Sequence, residues 1–289
     1  MTRWRTWAAV LWLPCAMAAA AGETVELDYR LRAERDLVVE QVDENVTTMR
    51  VVTDNGLVAR TGAQGARFPL TYHTVNRQRS RYTTGALQAD GSFPATLAIL
   101  SRRAMLRLAS GAEQPAPGQT DMDNFVFKAV IDAQGRVQQP TLQVDGLDGE
   151  RLNAVRGVMT SVLEQAARIE TIRVEQGKAV DQDVNMQVPL PGLAPLDLKI
   201  TATNRLIAVK EGMAQVEMVY VMAFGVPDGP VKIEATGTGG GTLVYDIAAR
   251  VARRIETNTL MTIVTHMPDG TLEFQMNTRQ TQHTQDAGR

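Results

Sequence analysis

Cysteine occurs once in the 289 residues, at Cys15, and tryptophan three times, at Trp4, Trp7 and Trp12. All four stand within the first fifteen positions, so the rest of the chain has no disulfide to staple it and no indole to anchor its core. Aromatic residues of all kinds make up 5% of the sequence, which leaves branched aliphatics and methionine to fill an interior. Beyond residue 21 no apolar run approaches the roughly 20 residues that a membrane-spanning helix needs. Histidines number three, His73, His266 and His283, and no two fall within one turn or hairpin of each other, so no local zinc or nucleophile motif is present. Positive charge is not in excess either. The 30 Lys and Arg face 32 Asp and Glu, for a formal net charge of −2, which argues against a nucleic-acid or anionic-lipid partner.

What the N-terminus does contain is the pattern of a bacterial export signal. Arg3 and Arg5 supply a basic start, residues 7–16 an apolar stretch, and residues 16–21 overlapping small-x-small cleavage sites. Cleavage near Ala21 is expected, which places the mature protein in the periplasm or the medium. Cys15 follows Trp12, Leu13 and Pro14, whereas a lipoprotein signal sets a small residue ahead of its cysteine. The expected organisation is therefore a signal peptide over 1–21, an N-terminal β-rich half over 22–175, and a C-terminal antiparallel half over 176–289 with a disordered tail from about 280. Without the leader the chain keeps ample length for a packed core.

Alternation with period two dominates the remainder. Val25, Leu27, Tyr29 and Leu31 alternate with Glu26, Asp28 and Arg30, the mark of a half-buried antiparallel strand. Similar segments follow at 37–42, 46–52 and 70–82, and again through 183–188, 196–209, 214–224, 232–237, 242–247, 252–266 and 272–278, with turn signals such as Asp54-Asn55-Gly56 and Asp269-Gly270 between several of them. Residues 125–137 read as a hairpin around Asp132-Ala133-Gln134-Gly135. Over 96–109 the start signals Ser92 and Pro94 and the stop signal Gly111 favour a short helix. One longer segment has helical period: Leu152, Val155, Met159, Val162, Leu163, Ala166 and Ile169 recur at three- and four-residue steps behind an Asp148 cap. Such a stripe must be buried against something, so the expected fold class is α+β, one or more curved antiparallel sheets packed on one long amphipathic helix.

The order of these parts, a Gly-turn hairpin at 125–137, the helix at 152–169, a Gly and Pro stretch at 177–195, then strands ending in Gly237-Thr238-Gly239-Gly240-Gly241 and Tyr245-Asp246, resembles a family of secreted bacterial β-rich domains of unknown function. The resemblance covers roughly residues 120–265 and implies no activity.

Candidate chemistry is thin. The glycine run at 237–241 lacks both the third glycine and the following helix of a dinucleotide loop, and reads as a turn or a bulge that admits close backbone approach. Asp121 with Asp123, and Asp181 with Asp183, have the alternate spacing of a calcium loop without its glycine and distal glutamate. No catalytic residue, metal site or cofactor is indicated, and an enzyme is not expected. Methionine is the one compositional signal, with Met213, Met218, Met222, Met261, Met267 and Met276 all in second-half strands. Two functions fit: a structural or interaction module of the cell envelope, or a carrier of an apolar ligand or lipid. In the second case Met159 and Leu163 from the helix, with Met213, Met218 and Met222 from the sheet, would line a cleft. The partner is accordingly an envelope protein or an apolar small molecule.

Overall fold

The structure, a computed structural model, describes residues 23–62, 68–108, 110–116, 125–145, 149–167, 171–188, 196–226 and 232–288. The expected leader, the Asp121–Asp123 pair and the Asp148 cap lie outside these residues. In chain order the elements are β1 (Thr24–Leu27), β2 (Asp36–Asp54), α1 (Leu57–Gly62), β3 (Leu70–Thr84), β4 (Phe93–Arg107), β5 (Glu113–Pro115), β6 (Val126–Ile131) and β7 (Val137–Gln143). Then come α2 (Gly149–Ala167), β8 (Ile172–Glu175), β9 (Ala179–Val188), β10 (Leu196–Lys210), β11 (Met213–Val226), β12 (Lys232–Asp246), β13 (Val251–Met267) and β14 (Gly270–Asp286).

One antiparallel sheet runs in the order β7-β6-β4-β3-β2-β14-β13-β12-β11-β10-β9, with β5 added beside β4, while β1 and β8 make a separate pair. The two halves read from the sequence thus share a single sheet, joined where β14 lies against β2. Eight of its strands have 14 or more residues, far beyond the usual length of about 6. Strands this long coil, and register shifts at Arg79/Ser80, Leu206/Ala208, Val244/Tyr245 and Thr271/Leu272 add local twist.

The sheet curls with one face inward. Laid flat, the eleven strands of the path would span about 48 Å at 4.8 Å per neighbour. Yet α2 touches both terminal strands, β7 and β9. Two apolar clusters fill the inner face at its closed end. In the first, Val25 and Leu27 of β1 with Ile172 and Val174 of β8 pack on Leu206, Val216, Leu243 and Tyr245. In the second, Phe93, Phe127, Ile131 and Leu142 of β4, β6 and β7 receive Leu152, Val155, Met159 and Leu163 of α2.

Asp28 fastens the first cluster. The Tyr245 hydroxyl accepts a hydrogen bond from the Asp28 N–H (3.1 Å) and donates one to its carbonyl (3.2 Å). The Asp28 carboxylate, 2% exposed, takes Arg30 Nε at 2.8 Å and Nη2 at 3.0 Å, pairs with Arg32, and lies 3.7 Å from Arg250 Nη1.

Four expectations are corrected here. The fold is not α+β with a sheet wrapped on a long amphipathic helix: strands hold 71% of the chain and helix 7%, so the protein is mostly β. The helical segment α2 is where its period placed it, but it lies on one corner of the sheet with its apolar side only half-buried, and the sheet's own curl supplies the second layer. Of the segment 96–109, where a short helix was expected, residues 96–107 form strand, because burial of Phe93 and Ala95 on one face of β4 outweighs the local start and stop signals. Residues 280–286 are the end of β14, paired with β2, where a disordered tail was expected. The glycine run, read as a turn or bulge, sits in the interior of β12.

Candidate functional site: the concave face

Side chains opposite one another on neighbouring strands share a face, so the register sorts the inner surface into rows. Nearest the closed end, Asn204, Met218, Gly241, Thr257, Gln280 and Asp43 form one row across β10, β11, β12, β13, β14 and β2. Next come Ala202, Tyr220, Gly239, Thr259, Thr278 and Asn45, then Ile200, Met222, Gly237, Met261, Met276 and Thr47. Beyond these lie Leu198, Phe224, Ala235, Ile263, Phe274 and Met49. The first two rows are largely polar and the fourth is wholly apolar. The surface therefore grades from polar to apolar along the strands.

A cavity of about 560 Å³ opens on this face. Ile200, Ala202, Tyr220 and Met222 line it from β10 and β11, while Thr257, Thr259, Thr278 and Gln280 of β13 and β14 and Gln41, Asp43 and Asn45 of β2 line it from the other side. Strands β10 and β2 are five places apart in the sheet, about 24 Å if flat. Only the curl lets both line one cavity.

The glycines of β12 set its floor. Gly237 and Gly239 project no side chain into the rows they occupy, and their neighbours lie down across the strand. The Tyr220 ring crosses Gly239 so closely that a methyl group there would sit 2.5 Å from it, and its hydroxyl shares a 2.6 Å hydrogen bond with Thr259 on the far side. Met222 lies over Gly237 in the same way, 3.1 Å from where a methyl would be.

On the polar wall, Gln41 Nε2 donates to both oxygens of Asp43, at 3.0 and 2.9 Å, and the Thr278 hydroxyl donates to the Asn45 side chain. Burial pushes the Asp43 carboxyl above the ordinary carboxylate range, with the Gln41 hydrogen bond and the charge of Arg102 acting the other way. Asn204, 3% exposed, has its Nδ2 without a hydrogen-bond partner.

Of the five residues proposed from the sequence, Met222 lines the cavity and Met218 stands one row below Tyr220, packed against the first cluster. Met213 is exposed and alternates with buried Ala214, so it faces the outer surface. Met159 and Leu163 pack on the second cluster. The structure thus brings together Met218 and Met222 and leaves the other three elsewhere. The three histidines sit apart, opposite Val46 and Arg107 for His73, Thr271 for His266, and Glu40 and Arg254 for His283. Asp181 and Asp183 accept hydrogen bonds from Thr203 and Thr201, each at 2.6 Å, across β9 and β10.

No family model matches the chain, and no curated protein matches it either. Among solved structures it is similar to one described as "Lipid-protein interactions in lipovitellin", at 8% identity and a TM-score of 0.44, over 89% of this chain and 26% of that one. It is also similar to OccK7 (OpdD) of Pseudomonas aeruginosa, at 7% identity and a TM-score of 0.26, over 88% of this chain and 100% of that one. OccK11 (OpdR) of the same organism aligns at 6% identity and a TM-score of 0.22, over 89% and 98%. The chain spans about a quarter of the lipovitellin chain's length. Likenesses this distant assign neither a fold family nor a ligand to the protein.

Proposed function

We propose that this protein is a non-catalytic binder of an apolar or amphiphilic small molecule, held in the concave cavity of the curled sheet. The observation that carries this reading is a cavity of about 560 Å³ continuous, row by row, with half-buried Met261, Met276, Phe224, Ile263 and Phe274 on the same face. Apolar side chains left partly open along a concave surface, with a few convergent polar groups at one end, are the ordinary make-up of a small-molecule site. Tyr220 and Met222, laid down across the glycines of β12, keep the trough deep, and the flexible Met222 side chain adapts to ligand shape. The alternative, an envelope module working through free sheet edges, has less in its favour, because both terminal strands lie against α2.

Filling the cavity tests the reading. Ala202 lines it with a methyl group only. Ala202→Trp is expected to abolish the fluorescence gain of N-phenyl-1-naphthylamine on mixing with the protein, while the far-ultraviolet dichroism spectrum stays unchanged. Wild-type protein that gives no gain with this probe sinks the proposal.

We propose further that the protein is exported, on the N-terminal pattern of a basic start, an apolar stretch and small-residue cleavage sites. Intact mass of the exported form should correspond to a start near Gly22, and its emission should be that of tyrosine alone. A tryptophan band from the exported protein overturns that start.

A further inference from the structure

The grading of the concave face from polar to apolar has a direction, and it constrains how an amphiphile would lie there. At the closed end the two lower rows offer hydroxyls, amides and one carboxylate: Thr257, Gln280 and Asp43, then Thr259, Thr278 and Asn45. Toward the open end the rows turn to Met222, Met261 and Met276, then to Phe224, Ile263 and Phe274. Among the described residues that line the cavity, Asp43 is the one charged side chain. The cation that acts on it, Arg102, stands on β4, two strands away and not on the cavity wall. An anionic group placed beside Asp43 would meet a like charge with no cation on the lining to offset it. A hydroxyl or an ammonium would instead donate a hydrogen bond to that carboxylate, the stronger kind because the acceptor is charged.

Resting on the binding reading above, we infer that the ligand is a single-chain amphiphile lying polar end inward, that its polar group is a neutral hydroxyl or a cationic amine, and that Asp43 excludes anionic head groups. The buried Asn204 amide in the lowest row marks the same end of the trough as polar. The chain of the ligand then runs along the methionine row and over Phe224, Ile263 and Phe274.

Displacement of N-phenyl-1-naphthylamine by dodecanol, dodecylamine and dodecanoate, at neutral pH and below micelle formation, reads this directly. Dodecanol and dodecylamine are expected to displace the probe at concentrations at least about tenfold lower than dodecanoate. Asp43→Asn should weaken dodecanol modestly and dodecylamine more, since the charged acceptor is lost, and bring dodecanoate to within about twofold of dodecylamine. Asn45→Asp, which adds a carboxylate to the same wall and keeps Asp43, should widen the gap instead, and it reads the inference should Asp43→Asn fail to fold. If neither probe nor alkyl amphiphile binds, the binding reading itself falls. If dodecanol displaces the probe but dodecylamine and dodecanoate are equal, or if both variants leave their ratio unchanged, the cavity stands and the charge selection is overturned.

Discussion

Asp28→Ala is expected to lower the free energy of unfolding by about 3 kcal/mol, measured by urea denaturation at neutral pH. That is the low end for breaking a buried ion pair, since Arg30 and Arg250 are half-exposed and water screens their share. The carboxylate holds Arg30 and Arg32 and also accepts the Arg30 N–H, at 3.1 Å, so its removal unties the turn over 28–32 and its link to Arg250, while the main-chain bonds of residue 28 to Tyr245 remain. The hydrogen bond from the Arg30 side chain, opposed by burial and aided by the Arg30 N–H and by Arg32, holds this carboxyl well below the usual range. A folded pKa below the unfolded value of about 3.9 means that the Asp28 contribution is complete above that value and is lost as pH falls beneath it. Wild-type stability should therefore drop below about pH 4 more steeply than that of Asp28→Asn. Parallel curves for the two proteins across that window would rule out the role given to Asp28.

The strands were legible because alternation is a local signal, and the size of the sheet was not. Val25 and Leu27 announce a strand wherever they pair, although it ends before Tyr29 and Leu31, and nothing near them names β8 as the partner of β1. The decisive contact, β14 on β2, joins Gln280 to Asp43 across more than 200 residues. The helical stripe from Leu152 to Leu163 was the most regular pattern in the chain, so it suggested a layer for the sheet to rest on. In the structure the stripe meets a single corner cluster, while the face it was expected to cover is enclosed by the sheet itself.

At the site, composition pointed to methionine and so found Met222, but the polar wall gave no such signal. In β2, Gln41, Asp43 and Asn45 alternate with Val42, Glu44 and Val46. The usual rule turns apolar residues inward. Here it inverts: Val46 is 41% exposed on the outer face, while the polar set lines the cavity. A strand that lines a polar end of a ligand trough reads in sequence like one whose polar side meets solvent, and only the curl of the whole sheet separates the two. The glycine run was readable in part, since close backbone approach was one expectation for it. Its place in mid-strand follows from Thr238, Thr242 and Leu243, which continue the ladder on both sides.

Graded effects are expected along that run, and the largest is at Gly241. A methyl group there would overlap the carbonyl of Glu256 and lie 2.9 Å from the Thr257 Cα, so the obstacle is backbone and cannot swing aside. Gly241→Ala should force β12 away from β13 near the centre of the sheet and cost more than about 3 kcal/mol, above the usual range for overpacking. At Gly239 the obstacle is the Tyr220 ring, which can rotate out at the loss of its hydrogen bond to Thr259 and some packing, about 1–2 kcal/mol. Gly239→Ala should therefore be partly rescued by Tyr220→Ala, and Gly241→Ala should not. Gly240 points to the outer face, where the nearest atom to an added methyl is the Met218 carbonyl oxygen at 3.1 Å, and Gly240→Ala should be the mildest of the three. Thermal denaturation of the three single variants and the one double variant decides the matter: equal losses at 239, 240 and 241 would show that strand propensity alone governs the run, and that no close approach fixes the floor of the cavity.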